Sequence, residues 1–160
     1  MKQLWAPWRM EYVNSEKSDE CIFCSLSKES NDAKNYILHR GQSVFIIMNI
    51  FPYNSAHLMV SPFQHIGCLT KLNAAESKEM NQLTHRCIEI LRAAINPEGF
   101  NIGYNIGKAG GAGYDEHIHC HIVPRWIGDT NFMPVLAETK VHPEHLKATY
   151  NKLLPYFKNL

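Results

Sequence analysis

Long apolar runs are missing from this chain of 160 residues. A membrane-spanning helix needs about 20 consecutive apolar residues, and no stretch here approaches that length, so a helical membrane protein is not expected. The first residues also lack the apolar centre of a secretory signal. Charge of one sign is scarce too. Sixteen Lys and Arg against fifteen Asp and Glu leave a net charge of +1, with no basic block to mark a nucleic-acid or membrane-surface partner. The five cysteines cannot all pair within one chain, and without a secretory signal they point to reduced thiols and a cytoplasmic location. Neither GxGxxG nor the P-loop pattern occurs, which removes the Rossmann and Walker readings of a nucleotide site. Internal repeats and low-complexity tracts are absent as well. With 45% hydrophobic residues, the composition fits one domain over residues 1–160 with a sizeable core.

What the chain does have is concentrated at residues 117–125, His-Ile-His-Cys-His-Ile-Val-Pro-Arg. A period of two is that of a β-strand, so His117, His119 and His121 should share one face, with Ile118, Cys120 and Ile122 on the other. Three imidazoles on an accessible face make a poor core and a good site. At about 3.3 Å rise per residue the outer two Cα atoms lie roughly 13 Å apart. One metal ion, with bonds of about 2.0–2.1 Å to nitrogen, cannot collect all three from a straight strand. At least one imidazole is then left for nucleophilic or proton-donating work near neutral pH.

Just upstream, Asn105–Tyr114 packs Gly107, Gly110, Gly111 and Gly113 into seven positions. Glycine tolerates positive φ and lets backbone N–H groups approach an anion, although an ordinary hairpin loop would look the same. Beside three histidines, such a loop suggests phosphoryl or nucleotidyl chemistry. A second constellation is Cys21-Ile-Phe-Cys24, whose spacing suits a metal knuckle or a redox dithiol. A thioredoxin-like dithiol should follow a strand, and the preceding Asn14–Glu20 stretch is polar and reads as a loop. Two thiolates alone cannot close a tetrahedral zinc site. Cys68, Cys87 and Cys120 read as small apolar residues, and His39, His85, His142 and His145 as surface ones.

The expected elements are strands at Tyr36–Arg40, Ser43–Met48, His57–Ser61, Phe100–Ile106 and His117–Val123, the first two joined at Gly41-Gln42. Asn73 with Glu76 three residues on resembles a capping arrangement. Met80, Leu83, Cys87, Ile90, Leu91 and Ala94 then recur at helical spacing, until Pro97-Glu-Gly99 ends the run. A final helix begins near Pro143, with Leu146, Tyr150, Leu153, Leu154 and Phe157 as its buried stripe. Strands with segregated helices predict an α+β fold with a mainly antiparallel, five-stranded sheet, one long helix and a C-terminal helix.

His117–Val123 fits the signature of the histidine-triad (HIT) superfamily, His-φ-His-φ-His-φ-φ with φ apolar, at every position. Phe45–Asn49 and Asn54–Pro62 resemble that family's two earlier strands. Leu4–Tyr12 and Pro124–Val135 resemble bacterial diadenosine polyphosphate phosphorylases and hydrolases of its fragile-histidine-triad branch. The resemblance implies a single HIT domain, with an N-terminal aromatic segment and zinc knuckle (1–35), a core (36–125) and a C-terminal extension (126–160). It implies a structural zinc held by Cys21, Cys24, His65 and His117. It assigns His119 as the nucleophile that attacks the α-phosphorus, His121 as a phosphate donor, and Asn49 and His57 as nucleoside contacts. Asn105 and the backbone of Gly111–Gly113 are expected to steady the phosphate oxygens. The expected activity is cleavage of dinucleoside polyphosphates through a nucleotidyl-histidine, with water or phosphate as acceptor. Alternatives are a nucleoside phosphoramidase, another nucleotidyl transferase, or a non-catalytic nucleotide binder. A homodimer is expected, paired through the Asn73–Ile95 helix and the Phe100–Ile106 strand.

Overall fold

The structure is a computed structural model in which residues 20–130, 144–158 and 160 are described. The N-terminal aromatic segment with Trp5, Trp8 and Tyr12, the polar stretch from Asn14 to Asp19, residues 131–135, His142 and Pro143 lie outside the described residues. The elements in order are α1 (Ile22–Lys28), α2 (Asp32–Asn35), β1 (Ile37–Arg40), β2 (Val44–Met48), β3 (Leu58–Pro62), a 3-10 turn at Leu69–Lys71, α3 (Ala74–Ile95), β4 (Gly99–Tyr104), a second 3-10 turn at Lys108–Gly110, β5 (Cys120–Arg125) and α4 (Leu146–Phe157). No helix among the described residues is long and apolar enough to cross a membrane.

The five strands form one antiparallel sheet in the order β1-β2-β3-β5-β4. β2 and β3 are buried at every position, because both faces of the sheet are covered. On one face Val44, Ile46, Met48, Leu58, Val60, Cys120 and Ile122 pack against α3 and α4, through Met80, Leu83, Cys87, Ile90, Leu91, Tyr150, Leu153 and Phe157. On the other, Phe45, Ile47 and Met59 pack with Ile37 and with Phe23 of α1. That second face carries the histidines.

The long helix forms where its signals predict. Asn73 accepts from the Glu76 amide and the Glu76 carboxylate accepts from the Asn73 amide, a closed capping box. At the other end Asn96 takes a left-handed φ of 45° and its N–H bonds the Arg92 carbonyl, after which Pro97 bars continuation. Glu79 fastens the helix to the β1–β2 turn by accepting from the Gln42 and Ser43 amides, each at 2.7 Å. The C-terminal helix starts at Leu146, just past the expected Pro143, with the expected residues inward.

One boundary shifts with consequences. The strand expected at His117–Val123 is paired only from Cys120, and continues to Arg125. β3 ends at Pro62, which has no N–H to extend the ladder. Upstream of Cys120 the Ile118 amide donates to the Ile66 carbonyl instead, at 2.6 Å, and its carbonyl accepts from Ser61 Oγ. His117 and His119 therefore sit on backbone outside the ladder, fixed by individual hydrogen bonds. α1 and α2 were also unexpected, because seven- and four-residue helices leave too short a periodicity to read.

Leu91 is fully buried between helix and sheet. Leu91→Ala is expected to cost about 2–5 kcal/mol in urea unfolding, while activity per folded molecule is retained.

Candidate active site

The three histidines lie side by side, but they are not the accessible row that their alternation suggested. His117, His119 and His121 are 1%, 6% and 8% exposed. Burial matters chemically, since a desolvated imidazole resists protonation. It pushes the His117 pKa down to about 4 and holds that of His119 below its ordinary value, against the opposing pull of the carbonyls each ring bonds.

Hydrogen bonds fix which nitrogen carries the proton in each ring. His119 Nδ1–H donates to the His117 carbonyl at 2.8 Å, which leaves the lone pair on Nε2. His57 Nδ1 accepts from the Tyr53 amide at 3.1 Å, so its proton is on Nε2, 3.0 Å from His121 Nδ1. His121 Nδ1 is thus the acceptor, and its own proton lies on Nε2. The rings of His119 and His121 are 4.7 Å apart and nearly perpendicular, bringing a lone pair and an N–H donor together. Such a pair suits attack on an electrophile whose oxygens need a donor.

His57, expected to touch a nucleoside, is fully buried behind His121 and holds that ring's proton in place. Asn49 Nδ2 lies 3.4 Å from His57 Nδ1, and its carbonyl oxygen accepts from the Phe51 amide. Asn105 Nδ2 donates to the Gly111 carbonyl at 3.4 Å and stands 3.5 Å from His121 Nε2, which places the glycine loop beside the triad. The loop turns through left-handed φ at Gly107 and Gly111, as glycine permits. Its Gly110, Gly111 and Ala112 amides, however, donate to the loop's own carbonyls at Gly107 and Lys108. The expected role of the Gly111 amide as an oxyanion donor requires this turn to open. Gly113 sits farther along, in the wall of the cavity over the cysteine pair.

That cysteine pair completes a second cluster. Cys21 is the N-cap of α1 and Cys24 lies in its first turn. Cys21 Sγ is 3.3 Å from His117 Nδ1, and Cys24 Sγ is 3.3 Å from His65 Nδ1 and 3.5 Å from His117 Nδ1. All four donor atoms lie within 4.8 Å of one another. Tetrahedral zinc with bonds of about 2.3 Å to sulfur and about 2.0–2.1 Å to nitrogen would separate S and N by roughly 3.6 Å. The donor set fits zinc. His117 Nε2–H donates to the Pro62 carbonyl at 2.9 Å, which turns the Nδ1 lone pair towards the thiols and supplies the outer-shell support of a metal-binding histidine. The site is closed by four protein ligands, so a metal there organises structure and leaves no open position for chemistry. A cavity of about 630 Å³ reaches it from solvent.

Three contributors escaped the sequence reading: the ring of Phe23, the amide of Tyr53 and the carbonyl of Pro62. Only Phe23 left a trace, as an aromatic residue between two cysteines.

Comparison with known proteins follows the same lines. Residues 30–126 match the sequence model described as the HIT domain. The chain is 35% identical to an AP-4-A phosphorylase of Mycobacterium tuberculosis, over 93% of this chain and 80% of that one. It is 25% identical to an adenosine 5'-monophosphoramidase of Schizosaccharomyces pombe, over 80% and 91% of the two chains. Among solved structures, a zinc-bound histidine triad family protein from Mycobacterium smegmatis superposes with a TM-score of 0.69 at 25% identity, over 88% of this chain and 94% of that one.

Elemental analysis of protein purified without chelator is expected to find one zinc per chain. Cys24→Ser should lose it and melt at a lower temperature, because metal binding contributes folding free energy. Metal-free wild-type protein with an unchanged melting temperature would contradict the zinc assignment.

Proposed function

The chain belongs to the HIT domain family, and from that premise we propose that it cleaves dinucleoside polyphosphates through a covalent nucleotidyl intermediate on His119. The observation that carries this reading is the His119 Nδ1–H bond to the His117 carbonyl, which commits Nε2 to the nucleophilic lone pair. Burial keeps that nitrogen unprotonated below the usual histidine range. The 35% identity to an AP-4-A phosphorylase over nearly the whole chain supports the substrate class.

In the first step His119 Nε2 attacks the α-phosphorus. A P–N bond forms, the P–O bond towards the β-phosphate breaks, and a four-phosphate substrate releases ATP. His121 Nε2–H donates to a non-bridging oxygen as charge builds there, and Asn105 stands beside it. In the second step an acceptor oxygen attacks the same phosphorus and the P–N bond breaks, returning the lone pair to His119. Water as acceptor gives AMP and a proton; phosphate gives ADP. Cys21, Cys24, His65 and His117 would hold a zinc, which would fix the His117 backbone.

A second reading, cleavage of nucleoside phosphoramidates, draws on the likeness to the yeast monophosphoramidase and uses the same nucleophile. Products separate the two. Diadenosine tetraphosphate is expected to give ATP with AMP in water, or ATP with ADP when phosphate is the acceptor. Inertness towards it combined with cleavage of adenosine 5'-phosphoramidate would select the second reading. His119→Ala should fold, bind nucleotide and lose turnover by several orders of magnitude, since the main reaction path goes with the nucleophile.

The proposal includes a cytoplasmic homodimer that binds no nucleic acid. Among the described residues β4 is an edge strand with no neighbour on its outer side, and its Ile102 is 45% exposed. A second copy laid along β4 and α3 would cover both. Light scattering at micromolar concentration should give about twice the 18.4 kDa chain mass; a monomer mass would remove the dimer and leave the active site untouched.

A further inference from the structure

The aromatic ring inside the cysteine motif touches the nucleophile itself. Phe23 is 2% exposed, on the short helix α1 between Cys21 and Cys24. Its ring centroid lies 4.6 Å from that of His119 with an interplanar angle of 28°, a stacked contact, and 5.1 Å from that of His117. Tyr114 meets it edge-on at 6.1 Å. We propose that Phe23 is a positioning residue for the chemical step, the part through which the Cys21/Cys24 knuckle sets the plane of the His119 imidazole. This rests on the reading of His119 as nucleophile.

The argument is geometric. The lone pair of Nε2 lies in the plane of the ring, so the tilt of the ring is the direction of attack. The hydrogen bond from Nδ1 to the His117 carbonyl fixes one atom and leaves the ring able to rock about that bond. His121 meets the ring perpendicularly and bounds it on one side. Phe23 lies nearly parallel to it and bounds the face, so the three contacts together leave a single orientation. Stacked aromatic pairs prefer such an arrangement. Reaction geometry is steep, and a misplacement of about 1 Å costs on the order of 100-fold in rate.

Phe23 cannot hold this place alone. A seven-residue helix is not stable by itself, and Cys21 and Cys24 bracket the ring. Anchoring both cysteines to His65 and His117 pins the helix on either side of Phe23, and His117 also supplies the carbonyl that receives the His119 proton. The two restraints on the nucleophile thus both originate at the metal-ligand cluster.

The test compares zinc-loaded Phe23→Leu, Leu26→Ala and wild type. Leu26 also packs α1 against the same apolar cluster but has no aromatic ring to stack on His119, and it serves as the structural control. Rapid-quench single turnovers with diadenosine tetraphosphate measure the rate of nucleotidyl-enzyme formation. Phe23→Leu is expected to slow it by roughly 10- to 100-fold, with substrate affinity and zinc content unchanged. Leu26→Ala should keep the wild-type rate even where it melts earlier. Nitrogen-15 NMR of the His119 ring should show one sharp Nε2 resonance in wild type and a broadened one in Phe23→Leu. A wild-type rate and sharp line in Phe23→Leu, or an equal slowing by Leu26→Ala, overturns the proposal. Should Phe23→Leu lose zinc, Phe23→Met, closer in volume and with a polarizable thioether, replaces it. Zinc loss in both variants would make the ring a support of the metal site alone and would also overturn it. His119→Ala distinguishes the layers: an adduct still formed by it refutes the nucleophile assignment, whereas no adduct together with a fast Phe23→Leu refutes only the role of Phe23.

Discussion

Everything in the site hangs on His117, which acts at three of its atoms. Its Nε2–H is taken by the Pro62 carbonyl, its Nδ1 faces the cysteines, and its own carbonyl receives the His119 proton. Because an imidazole has only two nitrogens, the first of these bonds dictates the second. Because His119 lies two residues on, the third follows from the same placement of backbone. A ring that shifted its proton to Nδ1 would turn an N–H towards the thiols and could no longer serve as a metal ligand there.

Burial makes this arrangement robust. The three imidazoles are buried, His117 and His119 against Phe23 of α1 and His121 against Tyr53 and His57, with little water to protonate them. In such a medium each unsatisfied nitrogen would be expensive, so the fold provides a partner at one nitrogen and reserves the other for function. His57 illustrates the rule. It is fully buried and polar, and it is tolerable there because the Tyr53 amide and His121 engage both of its nitrogens. The same reasoning covers the glycine loop, whose Gly110, Gly111 and Ala112 amides are satisfied by the loop's own carbonyls at Gly107 and Lys108.

Much of this was readable from local pattern. The capping box at Asn73 and Glu76 and the apolar spacing of α3 each express a rule that operates within a few residues, and the structure follows them; the alternation of His117, His119 and His121 was legible too, although only His121 lies in the paired strand. The cysteine pair was legible as half a metal site, and the other half came from likeness to a family. What local pattern could not show was the contact of Phe23 with His119, the burial of His57 behind His121, and the end of the β3–β5 ladder at Val60 and Cys120. Those are facts of tertiary packing. An alternating strand predicts a shared face, but whether that face is wet depends on what lies over it, here a helix from nearly a hundred residues earlier.

The position of β5 has a consequence for the life of the chain as it is made. β5 is inserted between β3 and β4, so the centre of the sheet joins segments 64 residues apart, as the His57–His121 bond shows. β1, β2 and β3 can pair as they emerge from the ribosome, yet β3 then presents an open edge until residues beyond 120 arrive. Closing so long a loop is entropically costly and late, and folds dominated by such pairings are slow. The nascent protein therefore has no partial activity to offer. Its catalytic apparatus comes into being with the last central strand, which ties turnover to the pairing of that strand and exposes the β3 edge to misassociation until then.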